Sequence, residues 1–248
     1  MESPRPSFVK QNHGTIAMWF LFSLPLIFSL GVFILTTFFQ IERDSQAQRL
    51  CYKIFFQAQR ESAHWIDELL RLNPRSTLLK TQHEQALQEL EIALASGQPS
   101  AISFAEARVA YYHAKRLTLE MQQKNLIAQV HKTLFQSEND SVEQLKKYFD
   151  SSDQKIRNRL NSKTGVWIEK KAEPGVSPVS PDLAPNYRLV PDIDRHQKLK
   201  INWRNQRFAS LLFKRFISSS IAEEKSCAVS PFWKNHSWYF SVDQDKFW

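Results

Sequence analysis

From Thr15 to Phe39 the chain carries no charged residue. As a helix rising about 1.5 Å per residue, such a run outreaches the roughly 30 Å hydrocarbon core of a bilayer. A soluble helix rarely goes that far without a charge. A cleaved secretory signal has a shorter apolar region, roughly 7–15 residues, closed by a small-residue site. The only downstream candidate, SQA at 45–47, sits among charges. Residues 15–39 therefore read as a transmembrane helix. Pro25 is tolerable there because neighbouring turns in a membrane helix can adjust around it. Trp19 stands near one end, where an interfacial aromatic is common.

Arg5 and Lys10 precede this run, and Arg43, Arg49 and Lys53 follow it, mixed with Glu42 and Asp44. A count of Lys and Arg does not choose a side. The short polar tail, 1–14, suits a signal-anchor with the bulk of the chain exported.

The segment KQNHGTIA, with Gly14 and then Pro25 eleven positions on, resembles the N-terminal segment of the TadE/TadG-like proteins of the tight-adherence (Flp) pilus assembly system. In that family a polar tail, a glycine and small residues lead into a long apolar helix that carries a proline at this spacing. The helix then enters a polar stretch, here QIERDSQAQRLCYKIFFQAQRESA. The resemblance covers about residues 10–62. Family members cleaved by prepilin peptidase usually carry a glutamate five residues after the glycine, and Trp19 stands at that position. The resemblance therefore implies the uncleaved, membrane-anchored TadG-like branch rather than a filament subunit.

The rest of the chain excludes several function classes. The five glycines, at 14, 31, 97, 165 and 175, are too scattered for a phosphate-binding loop. No GxSxG, HExxH or CxxC occurs. The formal charge of +8 favours acidic partners, but acidic residues are interleaved with the basic ones, as on a solvated surface.

Past the apolar run the pattern stays helical through 40–160. Ala47, Cys51, Ile54, Ala58, Trp65, Leu69 and Leu72 recur near a 3.6 spacing, with a polar gap at Ser62. That helix should end before Pro74. Ser76 can cap the next helix, which Gly97 and Pro99 stop. Leu79, Ala86, Leu90 and Ala93 mark its apolar side. Ser100 or Ser103 opens a long helix to about Phe135. SENDSVEQLKKYF then reads as a break and a restart to about Leu160.

Prolines 174, 178, 181 and 185 make 161–190 a linker or loop. The remaining 191–248 form an aromatic-rich α+β module. KLKINW alternates, with Leu199, Ile201 and Trp203 on one face, and SWYFSV alternates through Trp238, Phe240 and Val242. RFASLLFKRFI between them has helical spacing, although strand stays open. The terminal KFW adds to the aromatic content. The expected fold class is mainly α with a smaller C-terminal α+β or β-rich module, and a single N-terminal transmembrane helix continuing into an exported helical domain.

Cys51 and Cys227 are the only cysteines. In an exported domain they can join as a disulfide; otherwise they are two buried free thiols. His64 has Asp67 and Glu68 one turn on, the spacing of a surface pair. No catalytic constellation, metal site or cofactor site emerges. The expected partners are the lipid bilayer and other envelope or pilus assembly proteins, met through the transmembrane and membrane-proximal helices. Nucleic acid is not expected. The first expectation is a non-enzymatic, pseudopilin-like assembly component of a bacterial inner membrane, single-pass, with its bulk periplasmic. The alternative is a membrane-anchored extracytoplasmic sensor or ligand-binding module.

Overall fold

The computed structural model describes residues 12–157, 164–205 and 225–242. The polar tail before residue 12, the RFASLLFKRFI stretch and the terminal KFW lie outside the described residues. The chain divides into two units, Met1–Ala47 and Gln48–Trp248.

Helix α1, Asn12–Arg71, begins in the first unit and ends in the second. Its first part is long and apolar enough to cross a membrane, by length and composition. Its large apolar side chains, Met18 through Ile41, are exposed. The hydroxyls of Ser23, Ser29 and Thr37 donate back to the carbonyls of Phe20, Leu26 and Phe33 of the same helix. These polar groups need no water, as an apolar solvent demands.

The Gln48–Trp248 unit is mainly helical with a small antiparallel sheet. The end of α1 is followed by α2 (Asn73–Ser96), then α3 (Pro99–Arg157). Gly97 ends α2 at φ +68°, and its N–H returns to the Leu94 carbonyl. This is the left-handed cap that glycine adopts without a Cβ penalty. Ser76, Leu79, Ala86 and Ala93 of α2 are buried, as are Ala105, Leu119, Gln123 and Val130 of α3. The spacings are near seven, so the two helices form an antiparallel hairpin with a coiled-coil-like seam. Small alanines at 86, 93 and 105 let them approach closely.

The strands are β1 (Thr164–Ile168), β2 (Val176–Pro178), β3 (Tyr187–Leu189), β4 (Leu199–Asn205), β5 (Lys225–Lys234) and β6 (Ser237–Val242), with a one-turn α4 at Ile193–His196. One sheet has the order β1-β4-β5-β6, all antiparallel; β2 and β3 form a separate ribbon. Asn235 and His236 both have positive φ and join β5 to β6 in a two-residue turn. The sheet packs one face on helices. Leu199, Ile201 and Trp203 are fully buried, with Cys227 and Val229 beside them. Phe149 of α3 meets the Trp203 ring at 6.3 Å, and Phe56 of α1 meets Phe240 edge-on.

Three expectations change. The stretch 161–190 is not a bare linker, because it carries β1, β2 and β3. Helix α3 does not break near residue 137, because Ser137, Glu138 and Ser141 are buried along its length. Ser137 donates to the Leu134 carbonyl, and Glu138 accepts the Ala172 N–H. Burial pushes the Glu138 carboxyl up from its ordinary range. Ser76 is not a cap: α2 starts at Asn73 with Pro74 in its first turn, and the Ser76 hydroxyl reaches the Ala184 carbonyl. On the other face of β4, Asn202 is buried and donates to Glu169.

Candidate functional site

The residues singled out in the sequence fall in two places. Gly14 and Pro25 both lie within α1, Gly14 in its first turn and Pro25 inside the apolar segment. Pro25 removes one ladder hydrogen bond, the donor that would have met the Leu21 carbonyl. Cys51 and Cys227 are joined by a disulfide, with Cα atoms 6.4 Å apart, across 176 positions of sequence. Both are fully buried. The bond ties α1 to the central strand β5, where Cys227 pairs with Ile201.

Around this clamp α1 meets the sheet through polar as well as apolar groups. One turn beyond Cys51 the stripe passes through Phe55, Ala58, Gln59 and Ser62, then Ile66 and Leu69, all buried. The polar gap at Ser62 is thus filled rather than exposed. Gln59 donates to the Gln197 carbonyl at 2.6 Å. The Gln197 amide donates in turn to Gln59 Oε1 at 3.1 Å and to Ser62 Oγ at 2.6 Å. Gln197 Oε1 accepts the Gly175 N–H. Each side-chain amide is paired through both its nitrogen and its oxygen, as burial demands. Farther along α1, Asp67 accepts the Trp238 indole N–H at 2.9 Å.

Gly175 is held by close packing. A Cβ there would lie 2.3 Å from Ile193 Cγ1 and 3.0 Å from Gln197 Oε1. Ile193 is itself buried, so it has little room to yield. Gly175→Ala is expected to lower stability by about 1–3 kcal/mol, the usual cost of an overpacked core. Chemical denaturation of the two proteins checks this, and an unchanged midpoint would show that Ile193 repacks freely.

A second cluster lies where the helical hairpin holds residues 182–187 as a strap. Most of the contacts read the strap's main chain. Arg116 Nη2 donates to the Leu183 carbonyl at 2.6 Å, and Glu120 accepts the Ala184 N–H. Ser76 donates to the Ala184 carbonyl, and Gln123 to that of Pro185 at 2.9 Å. Asn73 pairs with both the N–H and the carbonyl of Tyr187. Lys80 anchors one end through Asp182 at 2.8 Å. Ala184 is buried at φ +49°, a strained backbone for a residue with a Cβ, and packs on Leu79 and Leu119.

The histidines sort differently from their sequence neighbours. His64 pairs with Glu68 at 3.5 Å on an exposed turn, while Asp67 is taken by Trp238. His83 of α2 and His113 of α3 come within 6.0 Å, ring to ring, although thirty residues separate them. Among the described residues no group of three or more His, Cys, Asp or Glu could hold a metal ion. The strap and the glutamine network had no signal of their own in the sequence, because each is built from residues far apart in the chain. The one hint was polar residues, Ser62 and Ser76, standing where the helical period calls for apolar ones.

No protein-family model matches this chain, and neither a curated protein nor a solved structure matches it.

Proposed function

We propose that the chain is a non-enzymatic, single-pass membrane-anchored component of a bacterial envelope assembly, TadG-like in kind, with the Gln48–Trp248 unit on the periplasmic side of the inner membrane. The observation that carries this reading is the Cys51–Cys227 disulfide. It falls ten residues after Ile41, the last exposed apolar residue of the membrane-length segment. Disulfides persist in oxidising compartments and are rare in a reducing cytosol. A bond so close to the apolar segment supports an exported position for the following unit. The self-satisfied hydroxyls of that segment support a lipid environment. Exposed apolar side chains on the hairpin, Ile92, Leu94 and Phe104 among them, offer contact area for other proteins of an assembly.

Protease added to spheroplasts that express the full chain tests sidedness. Cleavage within the Gln48–Trp248 unit, with an N-terminal tag left intact, is the expected result. A unit protected until the membrane is opened would place it in the cytoplasm and end this reading. Intact mass with and without reductant completes the test. The chain is expected to keep Gly14 joined to Thr15 and to gain two hydrogens on reduction. A mature form starting at Thr15 would instead indicate prepilin-type processing despite Trp19. Co-purification with identified pilus or secretion proteins would support the assembly role.

A further inference from the structure

Arg116 joins the strap to α2. Its Nη2 holds the Leu183 carbonyl, while its Nη1 lies 3.5 Å from His83 Nδ1. A guanidinium has no acceptor, so Nδ1 can take this hydrogen bond only while it is unprotonated. Arg116 Nε is buried and has no hydrogen-bond partner among the described residues. The group therefore depends on the partners at its two ends.

The surroundings of His83 are mostly cationic. Arg116 and His113 face it from α3, and Lys80 and Glu84 flank it on α2. The strap brings Asp182, which is engaged by Lys80 and Ser180. Among the described residues, Glu84 is the one carboxylate that favours a charged His83. Burial first, then Arg116 and His113, hold the His83 imidazole below its ordinary range.

We propose that this cluster is an acid-sensitive latch: neutral His83 steadies Arg116 on the strap, and protonated His83 repels it and loosens residues 182–187 from the hairpin. A group whose folded form favours the neutral state stabilises fully above its unfolded value, about 6.5 for histidine, and that contribution is lost as the pH falls below it. The strap's carboxylates do not share this window. Glu120 is held low by Lys124 and by the Ala184 N–H, and Asp182 by Lys80 and Ser180. Both stay ionised while His83 takes up its proton. Release would uncover the buried Leu79 and Leu119 beneath Ala184, turning a closed groove into an apolar one. This inference stands independently of the assembly role.

Hydrogen exchange on the full chain in detergent, disulfide intact, tests the latch. The reporters are the amides of Ala184 and Tyr187, with protection corrected for intrinsic exchange at each pH. Protection is expected to fall several-fold between neutral pH and about pH 5.5, within the ceiling of roughly eightfold that one proton on a released histidine of about 6.5 allows. His83→Gln keeps an acceptor but cannot titrate there, and its protection should stay level. A fall of the same size in His83→Gln, or none in the natural chain, overturns the proposal. The His83 ring resonance of the natural chain gives a second reading that needs no variant. Titration at or above the ordinary histidine value would also overturn it.

Discussion

Replacing Cys51 and Cys227 together by alanine is expected to lower the unfolding free energy by about 3–5 kcal/mol. The bond closes 176 positions of chain, and the chain-entropy model gives loops of this size the upper end of the usual range. Nearly all of the Gln48–Trp248 unit lies inside the loop. The cross-link therefore restricts the unfolded state of almost every element in the fold. The native state loses little contact area, since only two sulfur atoms leave a core that otherwise stays in place. Unfolding in denaturant, with the reduced natural chain beside the alanine pair, separates the two contributions. Reduction removes the cross-link and keeps the sulfurs, so it should account for most of the loss. A reduced chain as stable as the oxidised one would mean that the denatured state is already compact around α1 and β5.

The parts of this fold that were legible in the sequence are those set by local pattern. The uncharged run shows α1's apolar segment because charge is excluded there. Gly97 shows the end of α2 because only a left-handed residue closes that turn. Leu199, Ile201 and Trp203 show the buried face of β4 because a strand alternates. Strand β5 was hidden, and Pro231 is the reason, since a proline argues against an interior strand. The register resolves this. The last β4–β5 pair is Leu199↔Val229, so Pro231 lies beyond β4 and pairs only with β6. Strand β1 was hidden by its five-residue length beside four prolines. The continuity of α3 was hidden because Ser137, Glu138 and Ser141 look like a break until their burial is known. For the cysteines, composition left two buried free thiols ahead of a disulfide, and only the pairing of α1 with β5 brings the sulfurs together. Gly14, expected in the polar tail, and Pro25 both lie within α1, and their meaning rests on the resemblance.

The glutamine network predicts the second large effect. Gln197→Ala is expected to lower stability by about 3–5 kcal/mol. Two buried groups lose their partners: Gln59 Oε1 and the Gly175 N–H. Each orphaned group costs about 1–3 kcal/mol, and the missing amide leaves a cavity as well. Ser62 fares better, because its hydroxyl still donates to the Gln59 carbonyl. Gln197→Met keeps most of the volume and removes the hydrogen bonds, so it isolates the polar part of the loss. Adding Gln59→Leu to Gln197→Met should cost less than the sum of the two single changes. The second substitution removes the very oxygen that the first one stranded, and residues that share a bond couple in this way. Equilibrium unfolding of the four proteins measures that coupling directly. Strict additivity would mean that water enters the junction and replaces each lost partner. The α1–sheet contact would then be a hydrated seam rather than the dry one that the full burial of Gln59, Ser62 and Gln197 describes.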